Sequence, residues 1–258
     1  MDPIQSTLLG VLQGITEWLP ISSQGQTVLV MLNFMQIEPE TALSVAVFLH
    51  IGTMLAVLIR FRADFLAMLN LESKLLKVIV VATVSTGITA LPLLFFVKNL
   101  FQTGEFATVL IGIMLILTGI MLGVQRRSGN SYRTLDEITT KDMVFAGLAQ
   151  GFSILPGISR SGTTITILLM LGIKQDLALK LSFLMSVPAV LGAVVMFDIW
   201  KLSVIAPSDA AIMVLSSLVV GYATMSMLLR FAKRVNFAIF CVSLGGLTLL
   251  LSQIMILL

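Results

Sequence analysis

Gln13-Gly14-Ile15-Thr16-Glu17-Trp18-Leu19-Pro20-Ile21-Ser22-Ser23-Gln24-Gly25-Gln26-Thr27 and Gln150-Gly151-Phe152-Ser153-Ile154-Leu155-Pro156-Gly157-Ile158-Ser159-Arg160-Ser161-Gly162-Thr163-Thr164 are two versions of one polar phrase broken by Gly and Pro. Everything around them is oily. Hydrophobic residues make up 57% of the 258 positions and charged ones 11%, with a mean hydropathy of +1.05. A soluble domain of this size cannot hide that much apolar surface, so the chain reads as a polytopic membrane protein. In such a chain, a duplicated polar break is where function concentrates.

Spans of about 20 apolar residues, each rising ~1.5 Å, suffice to cross a ~30 Å hydrocarbon core. The sequence predicts six, over 41–60, 77–97, 106–125, 178–198, 210–230 and 236–257. The two polar-centred regions, 3–36 and 142–173, each read as a pair of half-length helices meeting at the break. The stretch 163–173 reaches only about half the bilayer at ~1.5 Å per residue. Both regions are therefore predicted to be re-entrant hairpins, tolerable in lipid only if their broken backbone is buried in protein or lines a cavity.

The predicted fold is all-α and integral to the membrane. A first repeat, 1–125, is followed by a cytoplasmic connector, 126–141, and a second repeat, 142–258. Each repeat is one re-entrant hairpin plus three transmembrane helices, and the odd number of crossings inverts the second copy. Positive charge tests this independently. One side receives Arg60, Arg62, Lys74, Lys77, Arg126, Arg127, Arg133, Lys141, Lys174, Lys180, Arg230, Lys233 and Arg234, and the other only Lys98 and Lys201. The positive-inside rule makes the first side cytoplasmic, with both termini outside. The hairpins then dip from opposite faces and their tips converge near the midplane.

Composition also excludes. The N-terminus, beginning Met1-Asp2-Pro3, lacks the basic region and cleavage site of a signal peptide, so the first helix is expected to be retained. Cys241 is the only cysteine, which rules out an intramolecular disulfide. A net charge of +3 with no soluble basic domain gives no reason to expect nucleic acid. Trp200, between Asp198 and Lys201, reads as an interfacial anchor, and Trp18 as a flank of the first tip.

The second tip gathers a guanidinium, Arg160, with the hydroxyls of Ser159, Ser161, Thr163 and Thr164 at the start of a half-helix. A helix N-terminus favours phosphate, and Arg offers it a permanently charged fork. The plainer alternative is that Arg160 simply pairs with Glu17 or snorkels to an interface. At the first tip, Glu17 is the carboxylate at membrane depth, with Gln13 four residues earlier on the same face. It is read as a holder of a cation, an acceptor of a proton, or a structural counter-ion. Ser22 and Ser23 are either capping residues or, given an activating neighbour, hydroxyls for chemistry. His50, the only histidine, lies in the first span, where a lone histidine is expected to pack as a hydrogen-bonder rather than serve as a substitute base.

Gln13-x-x-x-Glu17 followed by Pro156-Gly157-x-Ser159-Arg160-Ser161-x-x-Thr164 resembles the paired signature of the undecaprenyl pyrophosphate phosphatase family, the integral-membrane bacitracin-resistance type. The likeness extends to Phe48-Leu49-His50-Ile51-Gly52-Thr53, Leu181-Ser182-Phe183-Leu184-Met185-Ser186-Val187-Pro188 and Leu229-Arg230-Phe231. It implies hydrolysis of a polyprenyl diphosphate to the monophosphate, recycling the lipid carrier of envelope glycans such as peptidoglycan. It also implies a plasma-membrane site open toward the external face, a divalent cation (Mg²⁺ or Ca²⁺), and admits a homodimer.

By the same resemblance Glu17 is metal ligand or acid/base, Arg160 the diphosphate clamp, and Ser23 the hydroxyl near the scissile phosphate. Gln13, Ser22, Gln26, Ser159, Ser161 and Thr164 contact substrate. The sequence departs from the common pattern twice, with Gln13 where a glutamate is frequent and Gln26 where a histidine is frequent. Glutamine cannot take a proton at neutral pH, so a mechanism using a base at position 26 is closed to this chain. Because broken helices meeting at the midplane also build secondary transporters, a polyprenyl-phosphate transporter or flippase is the second function class.

Overall fold

The computed structural model describes residues 1–100, 103–125, 132–197, 205–232 and 235–257. Arg126, Arg127, Asp198, Trp200, Lys201, Lys233 and Arg234, which entered the charge and anchor expectations, lie outside the described residues. The described chain is helical: α1 (Pro3–Thr16), α2 (Ser23–Phe34), α3 (Pro39–Arg60), α4 (Arg62–Ala67), α5 (Lys74–Leu100), α6 (Gly104–Gln125), α7 (Thr140–Gly151), α8 (Arg160–Met170), α9 (Gln175–Met196), α10 (Pro207–Ala232) and α11 (Phe237–Leu257).

Helices α3, α5, α6, α9 and α10 are long and apolar enough to cross a membrane, and they cover the first five expected spans. The sixth expected span is α11, whose apolar part within the searched residues runs over Phe237–Gln253. The two polar regions are helix pairs of half length, α1 with α2 and α7 with α8. At ~1.5 Å per residue, the 11 residues of α8 rise only about 16 Å. The short α4 was not anticipated.

Local signals set the hairpin ends. Asp2 caps α1, its side chain accepting from Gln5 N–H, with Pro3 at the first helical position. Thr139 caps α7 in a reciprocal box with Asp142, so the second hairpin begins two residues before the predicted boundary. Behind it, Arg133 closes the base of that hairpin. Its guanidinium donates to Asp142 (2.7 Å), to the Leu171 carbonyl (2.8 Å) and to the Glu137 carbonyl (2.6 Å). The hydrogen bond to Asp142 also holds the Arg133 guanidinium above its usual pKa.

Helix pairing treats the two halves alike. α1 of the first hairpin lies along α10, and α7 of the second lies along α5, so each hairpin packs on the second long helix of the other half. α6 pairs with α11, and α3 with α9. Small residues permit the close approaches, as membrane helix packing demands. A Cβ on Gly14 would lie 2.7 Å from Gly221 N, and one on Gly151 2.7 Å from the Thr86 carbonyl. The glycine of each Gln-Gly pair is therefore a seat for a helix of the opposite half.

Two lysines tie helix starts to neighbouring segments. Lys180 pairs with Asp64 at 2.6 Å, joining the start of α9 to α4. Lys74, at the start of α5, donates to the Asp136 carbonyl in the connector.

Candidate active site

The first tip is the turn from Glu17 to Ser22. Glu17 ends α1 with its N–H on the Gln13 carbonyl. Trp18 is 1% exposed, donates from Nε1 to the Gly221 carbonyl at 3.0 Å, and meets Phe183 edge-on with centroids 5.5 Å apart. These contacts fix the turn against α10 and α9. Ser22 then takes a left-handed backbone (φ 60°) as the cap of α2, its Oγ accepting from Gly25 N–H.

The second tip runs through a short 3-10 turn, Phe152–Ile154, into Pro156-Gly157 and the Ser159 cap of α8. Gly157 has φ +100°, and a Cβ there would lie 2.7 Å from the Ile111 carbonyl, so no other residue fits without moving α6. The two tips touch: Gly157 N–H donates to Ser22 Oγ at 3.0 Å. One serine hydroxyl thus caps its own helix and latches the opposite break. α2 and α8 both begin at this junction, so two helix N-termini present their positive ends to it.

At the junction Arg160 pairs with Glu17 through Nη2 and Oε1, and donates from Nη1 to the Ser182 carbonyl at 3.1 Å. The other carboxylate oxygen, Oε2, accepts from Gln13 Nε2 (3.0 Å) and Ser23 Oγ (2.7 Å). Glu17 is 6% exposed, so a membrane-depth charge is neutralised across the two hairpins. His50, on α3, also enters the site. Its Nδ1 lies 2.7 Å from the Ala46 carbonyl, while its Nε2 lies 3.3 Å from Glu17 Oε2 and 3.4 Å from Ser23 Oγ. The Nδ1 contact is to its own helix, four residues back, rather than to a packed neighbour, and the other nitrogen faces the polar centre.

A small pocket of about 30 Å³ is lined by Glu17, Ser22, Ser23, Gln24, His50, Ser153, Ser159, Arg160 and Ser161. It has room for a water or two on the scale of ~10–15 Å³ each. Gln24, His50, Ser153 and Arg160 also line a second, larger cavity of about 260 Å³ between α3, α5 and α9, otherwise walled largely by apolar residues such as Leu91, Leu94, Val190 and Met196.

Of the candidate residues, Glu17, Ser22, Ser23, Arg160, Ser159 and Ser161 share the small pocket. Gln13 stands behind Glu17 and orients it. Thr164 also stands behind, its hydroxyl on the Arg160 carbonyl at 2.8 Å and against Ser182. Gln26 is absent from the pocket lining, because its amide reaches back to the Ile21 carbonyl at 3.1 Å. Sequence reasoning passed over Gln24, Ser153 and Ser182, and it ranked His50 as packing. An ionisable side chain inside a span was the one available signal for His50.

The donor set does not make a metal seat of its own. Among the described residues Glu17 is the only carboxylate in the pocket lining, and both its oxygens are engaged, one by a guanidinium that already offsets its charge. Among the described residues no three His, Cys, Asp or Glu side chains gather as metal ligands would.

A protein named undecaprenyl-diphosphatase from Methanothrix thermoacetophila is 53% identical over 255 residues, covering 98% of each chain. One of the same name from Methanopyrus kandleri is 41% identical, over 95% of this chain and 94% of the relative. Another from Methanococcoides burtonii is 36% identical, over 95% and 97%. Residues 6–247, which include both hairpin tips and every site residue, match the family described as bacitracin resistance protein BacA. The chain is thus a multi-pass membrane protein and belongs to the BacA family.

Proposed function

We propose that this chain hydrolyses undecaprenyl diphosphate to the monophosphate and inorganic phosphate. The observation that carries the reading is the junction of the two hairpin tips, where one guanidinium, several hydroxyls and two helix N-termini surround a polar pocket that adjoins an apolar cavity. That pairing of chemistries suits a lipid diphosphate, with its headgroup at the tips and its prenyl chain among the helices. The names of the relatives point to the same substrate.

Arg160 meets the terminal phosphate by exchanging its carboxylate partner for phosphate oxygens, a bidentate match. Ser159 and Ser161 donate to the same oxygens from the first turn of α8. Ser23 lies on the opposite wall, suited to the terminal phosphorus, while the bond broken joins that phosphorus to the bridging oxygen. The small pocket alone is too tight for a diphosphate, so the headgroup occupies it together with the polar end of the larger cavity. A divalent cation, Mg²⁺ or Ca²⁺, would have to come with the substrate, where it would offset the diphosphate's charge.

The two halves are read as an inverted repeat. Reciprocal pairing of each hairpin with the opposite half favours it. Positive residues at the start of α5 and α9 and the end of α3 favour a cytoplasmic location for that face, which leaves both termini outside and the site open to the external side.

The test is phosphate release from a C15 or C55 prenyl diphosphate by purified protein, with EDTA and metal add-back. Arg160→Ala lowers turnover by at least about a hundredfold, the scale of losing a charge-stabilising donor. Headgroup translocation in vesicles without phosphate release, or an Arg160→Ala variant with normal turnover, overturns the reading.

A further inference from the structure

We infer that His50 is the general base of this site, a role that rests on the phosphatase reading above. The imidazole is held so that only one nitrogen can exchange protons. A backbone carbonyl can only accept, so the 2.7 Å contact with Ala46 assigns the Nδ1 hydrogen to that bond and leaves Nε2 as the acceptor in the neutral ring. Nε2 looks into the pocket, 3.4 Å from Ser23 Oγ and 3.3 Å from Glu17 Oε2. Catalytic hydrogen bonds of this length in a substrate-free site tighten when the substrate arrives.

Glu17 lies closer to the serine, at 2.7 Å, yet it is the poorer base. Once Arg160 turns to the phosphate, Glu17 keeps Gln13 as a donor to Oε2 and stands 3.3 Å from Nε2, placed as the counter-ion of the imidazolium that proton transfer makes. Gln26 cannot compete, since its amide is turned to Ile21 and carries no basic nitrogen.

The charged groups facing the imidazole are Glu17 and Arg160. From α5 and α9 the shared cavity presents Thr83, Thr86 and Pro188, none of which titrates. The turn of α3 that carries His50 is anchored as well: the Leu49 carbonyl accepts from Ser217 Oγ at 3.1 Å, and a Cβ on Gly52 would strike the Val214 carbonyl at 2.6 Å.

In the first step Ser23 Oγ bonds to the terminal phosphorus as its proton passes to His50 Nε2. The bond from that phosphorus to the bridging oxygen breaks, and its electron pair leaves with the prenyl monophosphate, which takes up the proton. In the second step a water attacks the phosphoserine and gives a proton to His50. The serine oxygen leaves with the bonding pair and recovers that proton, releasing inorganic phosphate.

The test compares wild type, His50→Gln and His50→Ala in phosphate release from a C15 diphosphate. Binding of a C15 methylene diphosphonate, which cannot be hydrolysed, and thermal stability are measured alongside. Glutamine keeps both hydrogen-bonding ends but cannot take a proton, so kcat falls about 10²–10⁴-fold, the range for a lost acid–base group, while KM and diphosphonate affinity hold. Free imidazole restores part of the turnover of His50→Ala, because the vacated space adjoins the larger cavity.

Wild-type turnover in His50→Gln overturns the proposal, as does diphosphonate affinity falling together with rate, or a folded His50→Ala that imidazole does not revive. If His50→Ala fails to fold, His50→Gln decides alone. A wild-type protein that binds the diphosphonate but releases no phosphate refutes the phosphatase reading first, before any variant is compared.

Discussion

Replacing Glu17 by glutamine keeps the side chain's volume and removes one charge, and the surroundings set what that costs. Arg160 holds Glu17 with Nη2 and, among the described residues, its guanidinium has one other partner, the Ser182 carbonyl. The two side chains are 14% and 5% exposed, Arg160 and Glu17 respectively. Stripping one member from a buried pair leaves the other charge uncompensated, at about 3–5 kcal/mol. The reverse change, Arg160→Met, is milder. It leaves the carboxylate with Gln13 and Ser23 as donors and His50 beside it, so the expected loss is about 1.5–3 kcal/mol, that of one hydrogen bond to a charged group.

With both changes made, no charge is stranded, and the new amide packs against a thioether side chain of similar length. The double variant is therefore expected to be about as stable as Glu17→Gln alone, the second change adding almost no loss, with a coupling energy of about 2–3 kcal/mol, toward the upper end of the range for residues in contact. Thermal unfolding in detergent reads this directly, at about 2–4 °C per kcal/mol for a chain of this length. All three variants lose phosphate release, so stability and activity separate in the double variant. Simple additivity of the two losses would refute the argument, since it would mean that the hairpins do not neutralise each other's charge.

Two further outcomes follow from the same geometry. Gly157→Ala forces a Cβ to 2.6 Å from Met114 Cβ at a backbone of φ +100°. It is expected to cost about 1–3 kcal/mol from the backbone alone and to lower turnover by parting the tips that Ser22 latches, measured by unfolding and phosphate release together. Arg133→Ala removes the guanidinium that ties Asp142 to the Leu171 and Glu137 carbonyls, far from the chemistry. Its signature is a lowered unfolding temperature, for a loss of about 1–3 kcal/mol, with kcat unchanged at temperatures where the variant is folded.

The sequence made the architecture legible because apolar length is a strong signal. The helices cover the six expected spans to within a few residues, and the two half-length pairs appear where the Gly/Pro breaks fall. At each tip the plainer reading is the one seen, with an added contact. Ser22 is a cap and a latch at once, and Arg160 both pairs with Glu17 and lines the pocket. Two things were illegible. Hydrophobic periodicity cannot say which side of an all-apolar span faces a site, so His50 read as packing until α3 was seen against both tips. Nor can a motif position report a rotamer. Gln26 occupies a place associated with substrate contact, yet the turn leaves the Ile21 carbonyl within reach and the amide takes it.

The duplicated phrase is most informative where its copies differ. Both keep the Gln-Gly pair, and both keep a serine capping the second half-helix, Ser22 in one and Ser159 in the other. Those shared residues build the hairpins and seat them on the opposite half. The charges are not shared: the acid, Glu17, belongs to the first copy, the guanidinium, Arg160, to the second. The two corresponding glutamines differ accordingly, Gln13 donating to Glu17 while Gln150 donates to Thr86 on α5. Neither half could bury its own ion at membrane depth without the other, where an unpaired charge costs about 2.5–3.5 kcal/mol even on insertion scales. The polar centre is therefore created by the docking of the two halves, and the attraction between Glu17 and Arg160 holds it together.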